Sequence, residues 1–373
     1  MRGVKTMQGR KIFFTGYPGF IGRWQVRSIL ADDPGVEITF LVQEKFLSRA
    51  GEDIAELERE GKAERGSLRV IPGDVTDPRL GISAESYESL ADWASEVWHL
   101  AGAFDLNVPE GLARRVNYWG VRHVVDFSKA CSGLSFLVHF SSVVVHAERE
   151  GVITEDELDG GQELINNYFM TKFWGEMEVR RAMQDGLPAI IIRPAGVMGD
   201  SRTGETDKFD NIYLTFGILH LLGRLRLPPL YLGEGKVRPN FVPIDYLVDA
   251  VTAITRNPAA VGRCFHVVDP DPPTSREMFD VIYELTAGRK PSITVPTWMV
   301  DAMAKRLGWA FRLVNIPPDS MTYVNHVGLF DASNTLEMLE GTGITCPPIR
   351  DYYPRLYAWW LANRDRTDMY PKM

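Results

Sequence analysis

Eight residues near the N-terminus, Thr15-Gly16-Tyr17-Pro18-Gly19-Phe20-Ile21-Gly22, constrain the fold of this chain more than any other stretch. The apolar run Lys11-Ile12-Phe13-Phe14 before them reads as a buried parallel strand. Ile21 to Leu30 carries apolar residues at helical spacing and no proline, so it reads as a helix. Gly16, Gly19 and Gly22 therefore fall on a strand-to-helix turn. A tight turn, close backbone approach to a pyrophosphate and close helix–strand packing each demand a residue without a Cβ. The free amides of the helix start then offer donors and positive dipole to phosphate. The same alternation of strand-like and helix-like segments continues to about Gly199, which predicts an α/β fold built on a doubly wound parallel sheet of Rossmann type.

A second motif, Tyr168-Phe169-Met170-Thr171-Lys172, lies mid-chain. Residues four apart share one face of a helix, and a nearby ammonium favours phenolate over phenol. Lys172 is thus expected to bring Tyr168 below its usual pKa of about 10, giving a proton donor and acceptor usable near neutral pH. The same spacing also describes an ordinary amphipathic helix pair. With the glycine turn it indicates a nicotinamide-dependent oxidoreductase.

The G-x-x-G-x-x-G spacing, with the flanking Thr15, Phe20 and Ile21, resembles the extended short-chain dehydrogenase/reductase superfamily. That resemblance implies roles for later segments. Val36 to Val42 is the second strand; Asp74 and Val75, in Gly73-Asp74-Val75-Thr76-Asp77, supply an acid and an apolar residue around the adenine. Ala101-Gly102-Ala103 is the small-residue turn beneath the cofactor. Leu134 to Phe140 leads into Ser141-Ser142, of which Ser142 is the expected catalytic hydroxyl and Ser141 the alternative. Asn117 is the candidate relay residue, with a local backbone hydrogen bond as the competing reading. Ile190-Ile191-Ile192-Arg193-Pro194 ends in the Arg-Pro that the superfamily sets beside the nicotinamide, followed by Val197.

At 373 residues and 45% apolar content the chain can bury a large core. A formal charge of −8, without a sustained basic stripe, argues against nucleic acid as a partner. Cys131, Cys264 and Cys346 are too far apart for a metal knuckle, and the histidines show no ligand spacing, so no metal is expected and the thiols read as reduced. No signal peptide precedes the first strand, and no run approaches the roughly 18 apolar residues that span a bilayer. A cytoplasmic protein is the expectation. The predicted organisation is a dinucleotide-binding domain over 1–199, rejoined by 240–270, and a substrate-binding domain from 200–239 and 271–373. Asp245 reads as the N-cap of a helix, Gly262 to Val268 as a strand returning to the main sheet, and 224–238 as loop.

Gly196 to Glu205, Asn240 to Tyr246 and the C-terminal Phe330-Asp331, Asn334-Thr335, Pro347-Pro348 and Tyr352-Tyr353 resemble the fatty acyl-CoA reductase (male-sterility) and thioester-reductase family. What this implies is reduction of a fatty acyl thioester, on coenzyme A or a carrier protein, by NADPH to the aldehyde, with the alcohol as the alternative product of a second hydride. Tyr168 and Ser142 would hydrogen-bond the developing oxyanion, and Lys172 would hold the nicotinamide ribose. The family places Arg after the second strand to meet the 2′-phosphate; here that position is Gln43, followed by Glu44 and Lys45. Arg23, with Lys45 or Arg49, is the substitute cation, and NADPH is expected ahead of NADH. The stretch 297–314, rich in Trp, Met and basic residues, reads as an acyl tunnel, a peripheral membrane contact or a helix packing face. The alternatives are a related dehydrogenase acting on a lipid or sterol hydroxyl or ketone, a cofactor-binding regulator without turnover and, disfavoured by apolar substrate-domain segments with few basic residues for a diphosphate, a sugar-nucleotide epimerase.

Overall fold

The computed structural model describes residues 9–104, 108–147, 149–210, 212–226, 228–296, 298–299 and 328–370. Seven strands form the main sheet: β1 (Lys11–Thr15), β2 (Glu37–Val42), β3 (Leu68–Pro72), β4 (Glu96–His99), β5 (Phe136–Phe140), β6 (Ala189–Pro194) and β7 (Cys264–Val267). Their order is β7-β6-β5-β4-β1-β2-β3, and every neighbouring pair is parallel. A parallel sheet covered on both faces needs apolar residues on both sides of each strand. Accordingly Ile12 to Thr15, Ile38 to Val42 and all of Ala189 to Pro194 are buried.

One face is covered by α1 (Phe20–Asp32) and α6 (Ile244–Arg256), through Val26, Ile29, Leu247, Val251 and Ile254. The other face packs under α3 (Ala84–Trp93), α4 (Gly120–Ala130) and α5 (Asn167–Gln184), through Ala91, Val121, Val124, Phe127, Val179 and Ala182. The chain order reverses between β1 and β4. In such sheets ligands bind outside the carboxyl ends of the strands at that reversal.

A second core joins helices on either side of β7. Phe209 and Phe216, from the region of Ile212–Arg224, meet Met278 and Ile282 of Ser275–Ala287 and Tyr352, Tyr353 and Trp360 of Ile349–Asn363. The segment 200–205 is held by Asp200, whose carboxylate accepts from the amides of Arg202 and Thr203. Gly204, at φ +82°, lies so near the Arg355 carbonyl that a Cβ would sit 2.2 Å from its oxygen. The Gly199 to Glu205 stretch that marks the family resemblance is thus a turn built for packing against the C-terminal helix.

Three short parallel pairs were not expected: Gly151–Ile153 with Gly328–Phe330, Gly196–Met198 with Phe241–Pro243, and Leu230–Leu232 with Ile293–Val295. Three residues carry too little alternation to register as a strand. Pro243, not Asp245, is the N-cap of α6; the Asp245 carboxylate instead accepts from the amide and hydroxyl of Ser201 at 2.8 and 2.6 Å. Of the stretch 297–314, only Trp298 and Met299 are within the described residues, and the three readings offered for it fall outside them. No described helix is long and apolar enough to cross a membrane.

Candidate active site

The glycine turn sits at the sheet's reversal point, against the end of β4. Gly16 has φ +94°, and a Cβ there would stand 2.5 Å from the Leu100 carbonyl carbon. A Cβ on Gly19 or Gly22 would approach the Gly16 carbonyl oxygen at 2.8 or 2.6 Å. The three glycines therefore let the turn fold on itself beneath the N-terminus of α1, whose amides open toward the strand ends. This is the cradle that a dinucleotide's pyrophosphate requires, so the residues present fit a nicotinamide dinucleotide. Phe20 and Ile21, next in line, pack against the sheet core.

Around the cradle several side chains are already engaged. Thr15 Oγ1 is 2.7 Å from His99 Nδ1, both buried. Gln43, at the end of β2, donates from Nε2 to Asp74 Oδ2 at 2.7 Å, while Asp74 Oδ1 accepts from the Thr76 amide. Val75 is buried, in contact with the core beneath α4. Gly102 lies against the ends of two site residues: a Cβ there would be 3.4 Å from Lys172 Nζ and 3.5 Å from Asn117 Oδ1. Asn117 clamps this turn by accepting from the Ala103 amide at 2.8 Å and donating to the Ala103 carbonyl at 3.1 Å. It sits in a π-helical turn, Arg114–Trp119, whose wider register brings the Asn117 carbonyl against Gly175 of α5. The side chain thus holds backbone 14 residues away and also donates to Thr171 Oγ1 at 3.2 Å, which is not the local bond of the competing reading. Ala101 continues the same turn, and Val197 lies in the strand Gly196–Met198.

Tyr168 and Lys172 occupy the first two turns of α5, started by the Asn166 side chain accepting from the Phe169 amide. Both are buried. Ser142 caps the short turn Val143–His146, accepting from the Val144 amide at 3.4 Å, and its hydroxyl acts on the neighbouring Tyr168 phenol. Ser141 faces the opposite way and donates to Glu176 Oε2 at 2.6 Å. Geometry thus separates the two serines, and it is Ser142 that meets the phenol. Phe104 packs edge-on against Tyr168 at 5.3 Å between centroids.

The electrostatics differ from the sequence expectation. Burial pushes the Tyr168 phenol up from its ordinary pKa, and the Ser142 hydroxyl only partly opposes this. Lys172 does not acidify it: its ammonium donates to the Phe140 carbonyl at 2.9 Å. Burial brings Lys172 itself down to about 8, with the Glu176 carboxylate pulling the other way. The correction has a simple cause. Loss of water disfavours both charged forms, and in a dry site that outweighs a helix neighbour.

Arg193 is a second correction. Its guanidinium is fully buried and committed to protein groups. It pairs with Glu176 through Nε at 2.9 Å and Nη2 at 2.5 Å, and reaches His146 Nε2 at 2.8 Å, His266 Nε2 at 3.0 Å and the Glu157 carbonyl at 2.7 Å. The side chain is structural; what strand β6 presents at its end is Pro194 and backbone. Burial works against the Glu176 charge, but Arg193, Arg180 and Ser141 outweigh it and hold the carboxyl well below its usual range. Arg23, the candidate phosphate cation, is ion-paired to Asp53 at 2.9 Å and to Asp207 at 3.0 Å, and Arg49 reaches Asp207 at 3.4 Å. Lys45 lies over the Phe46 ring instead.

Glu176, Phe104 and Asp207 were missed in the sequence. Glu176 alone left a signal, standing four residues after Lys172 on the same helix face.

Comparison with known proteins bears on the fold and the family. The chain is 29% identical over 322 residues to aldehyde reductase lnbA of Aspergillus flavus, an alignment covering 80% of this chain and 30% of that protein. It spans less than a third of the length of the curated relatives it matches. In fold it matches the terminal R domain of the myxalamid PKS-NRPS biosynthetic pathway, with a TM-score of 0.81, 23% identity and coverage of 97% of this chain and 93% of that one. A thiolation-reductase di-domain from an archaeal non-ribosomal peptide synthetase gives a TM-score of 0.74 at 18% identity, covering 95% and 76%. A family model described as male sterility protein, an NAD-binding domain, matches residues 14–251, and the chain belongs to that family of extended short-chain dehydrogenases/reductases.

Proposed function

We propose that the chain reduces a carrier-bound acyl thioester with NADPH, releasing an aldehyde and the carrier thiol. The observation that carries this is the buried Tyr168 phenol with the Ser142 hydroxyl acting on it, set one helical turn from Lys172 and opposite the glycine cradle. When bound, the nicotinamide supplies the hydride. The chain supplies the rest. Ser142 and Tyr168 place two hydroxyls where the thioester oxygen becomes an oxyanion, and removing one such donor typically costs about 100- to 1000-fold in rate. Tyr168 delivers its proton to that oxygen. A phenol whose pKa burial has raised is a donor that stays protonated until the oxygen becomes the stronger base. Lys172, with a pKa near 8, is an ammonium at neutral pH beside Gly102 and suits a ribose hydroxyl.

Collapse of the hemithioacetal breaks the C–S bond. The balance is thioester, NADPH and one proton giving aldehyde, thiol and NADP⁺; a second round gives the alcohol. Support for a carrier-bound rather than a coenzyme A substrate comes from the likeness to a thiolation-reductase di-domain. NADPH is favoured by Arg23, just past the glycine turn, and Arg49, just beyond the end of β2, two cations that meet at Asp207. The experiment is an acyl-pantetheine thioester and the same acyl group on a carrier protein, each with NADPH or NADH. Loss of reduced-nicotinamide absorbance is expected with release of thiol, one nucleotide per thiol where reduction stops at the aldehyde and two where it runs to the alcohol. Oxidation of the nucleotide without thiol, or turnover only with ketones or alcohols, rejects it.

A further inference from the structure

Segment 200–210 leaves the second core, crosses to α1 and returns. It is fixed at one end by the Asp200 turn and at the other by Phe209, which is fully buried and whose amide donates to the Met369 carbonyl at 2.6 Å. Between these anchors Asp207 and Lys208 reach the site from opposite ends. Lys208 lies 4.5 Å over the Phe104 ring that packs on Tyr168. The Asp207 carboxylate takes Arg23 Nη1 at 3.0 and 3.2 Å from its two oxygens and Arg49 Nη2 at 3.4 Å.

Arg23 stands one residue past the glycine cradle, and Arg49 on α2 (Leu47–Arg59), just beyond the end of β2. In a dinucleotide fold that is the neighbourhood of the adenosine ribose, where a cation distinguishes a 2′-phosphate from a 2′-hydroxyl. Here Arg23 and Arg49 are balanced by Asp53 and Asp207, and the four charges sum to zero. Asp53 belongs to α2, beside Arg49, and is mostly buried. Asp207 comes from 184 residues away in the chain, on a segment that is not part of the sheet.

We propose that Asp207 is a built-in competitor for the cofactor's 2′-phosphate, holding Arg23 and Arg49 in the ion pairs the phosphate takes on binding. A phosphate monoester carries about −1.5 to −2 charges at neutral pH against one for the carboxylate, and it offers the guanidinium forks more acceptors. Exchange therefore goes toward phosphate at a cost in affinity set by Asp207. It also frees segment 200–210 from α1 on the side where it reaches Phe104 and Tyr168. A 2′-hydroxyl offers no such exchange.

This rests on the NADPH reading above, and its test needs no substrate. Calorimetric binding of 2′,5′-ADP and of 5′-ADP is compared in the wild-type chain, Asp207→Asn, and Asp207→Asn with Arg23→Gln. Asp207→Asn is expected to tighten 2′,5′-ADP about tenfold, the size of one ion pair removed from competition, and to leave 5′-ADP within about twofold. Adding Arg23→Gln should erase that gain. Equal changes for both ligands, no change for 2′,5′-ADP, or a gain that survives Arg23→Gln overturns the proposal. Failure of the thioester assay alone leaves these binding results intact and so is read separately.

Discussion

Glu176 and Arg193 form a forked ion pair in which neither side chain has exposed surface, placed directly behind the site serines. The same carboxylate receives Ser141 and Arg180 and acts on Lys172 from one turn away. A buried pair adds little net stability over apolar residues of the same size, but losing one partner leaves an uncompensated charge. Glu176→Gln should therefore lower stability by about 3–5 kcal/mol in urea unfolding. The double variant Glu176→Met, Arg193→Met should recover much of that loss. Equal damage in the single and double variants would mean that the pair is not the source.

The two serines should separate by readout. Ser142→Ala removes a donor at the reacting oxygen and is expected to lower kcat about 100-fold, with about 0.5–1 kcal/mol of stability lost with its cap. Ser141→Ala removes a hydrogen bond to a buried charge, costing about 1.5–3 kcal/mol of stability with kcat nearly intact. Steady-state rates and urea midpoints for both variants check this, and an exchange of the two phenotypes would move the active hydroxyl to Ser141.

Tyr168→Phe keeps the ring against Phe104 and deletes the proton. Reduction should fall by at least about 100-fold, while NADP⁺ binding followed by fluorescence quenching stays within about twofold. Catalysis at a comparable rate in this variant would remove Tyr168 from the acid's role.

Lys172 titrates near 8 because burial disfavours its charge. Its ammonium is present below that pH and lost as pH rises through it, so kcat/KM should fall on the alkaline side with an apparent pKa near 8. Lys172→Met should lower activity and abolish that limb. A limb that persists in the variant belongs to another group.

Stability should fall steeply in acid. Burial lowers His139 to about 3, and His146 and His266, which also face Arg193, to about 2 and about 3. His99 is lowered as well, by burial first and then by His139 and Lys172. In the unfolded chain these groups take protons below about pH 6.5, while the folded chain does not. The unfolded state thus binds more protons between those limits, and stability, full above pH 6.5, declines by up to about 1.4 kcal/mol per pH unit for each histidine. Urea midpoints between pH 7 and 5 measure this slope; a flat profile would mean that the rings are solvated.

The sheet and its glycine turn were legible in the chain because they are local. Apolar runs of strand length, a helical period after them and three residues without a Cβ sit within a few positions of each other, and β7 announced itself as an isolated apolar run at Gly262 to Val268. The Tyr168–Lys172 spacing was equally local, and it placed both residues on one helix face. What the spacing could not supply was their surroundings. Dehydration raises the phenol and lowers the ammonium, and that depends on Gly102 and Phe104 arriving from the segment after β4 and Phe140 from the end of β5.

The remaining decisions were made by contacts distant in sequence. Adjacent serines, chemically identical, were told apart only when the turn at Val143–His146 aimed one at Tyr168 and the other at Glu176. Arg193 is an Arg-Pro strand end in the sequence, yet its charge is consumed by a glutamate from the neighbouring helix. Arg23 reads as a free cation until segment 200–210 brings Asp207 to it. Periodicity and backbone freedom are properties of neighbouring residues, so sequence alone determined the elements and the cradle. Charge pairing and burial are properties of space, and only the tertiary structure decided which groups stay available for chemistry.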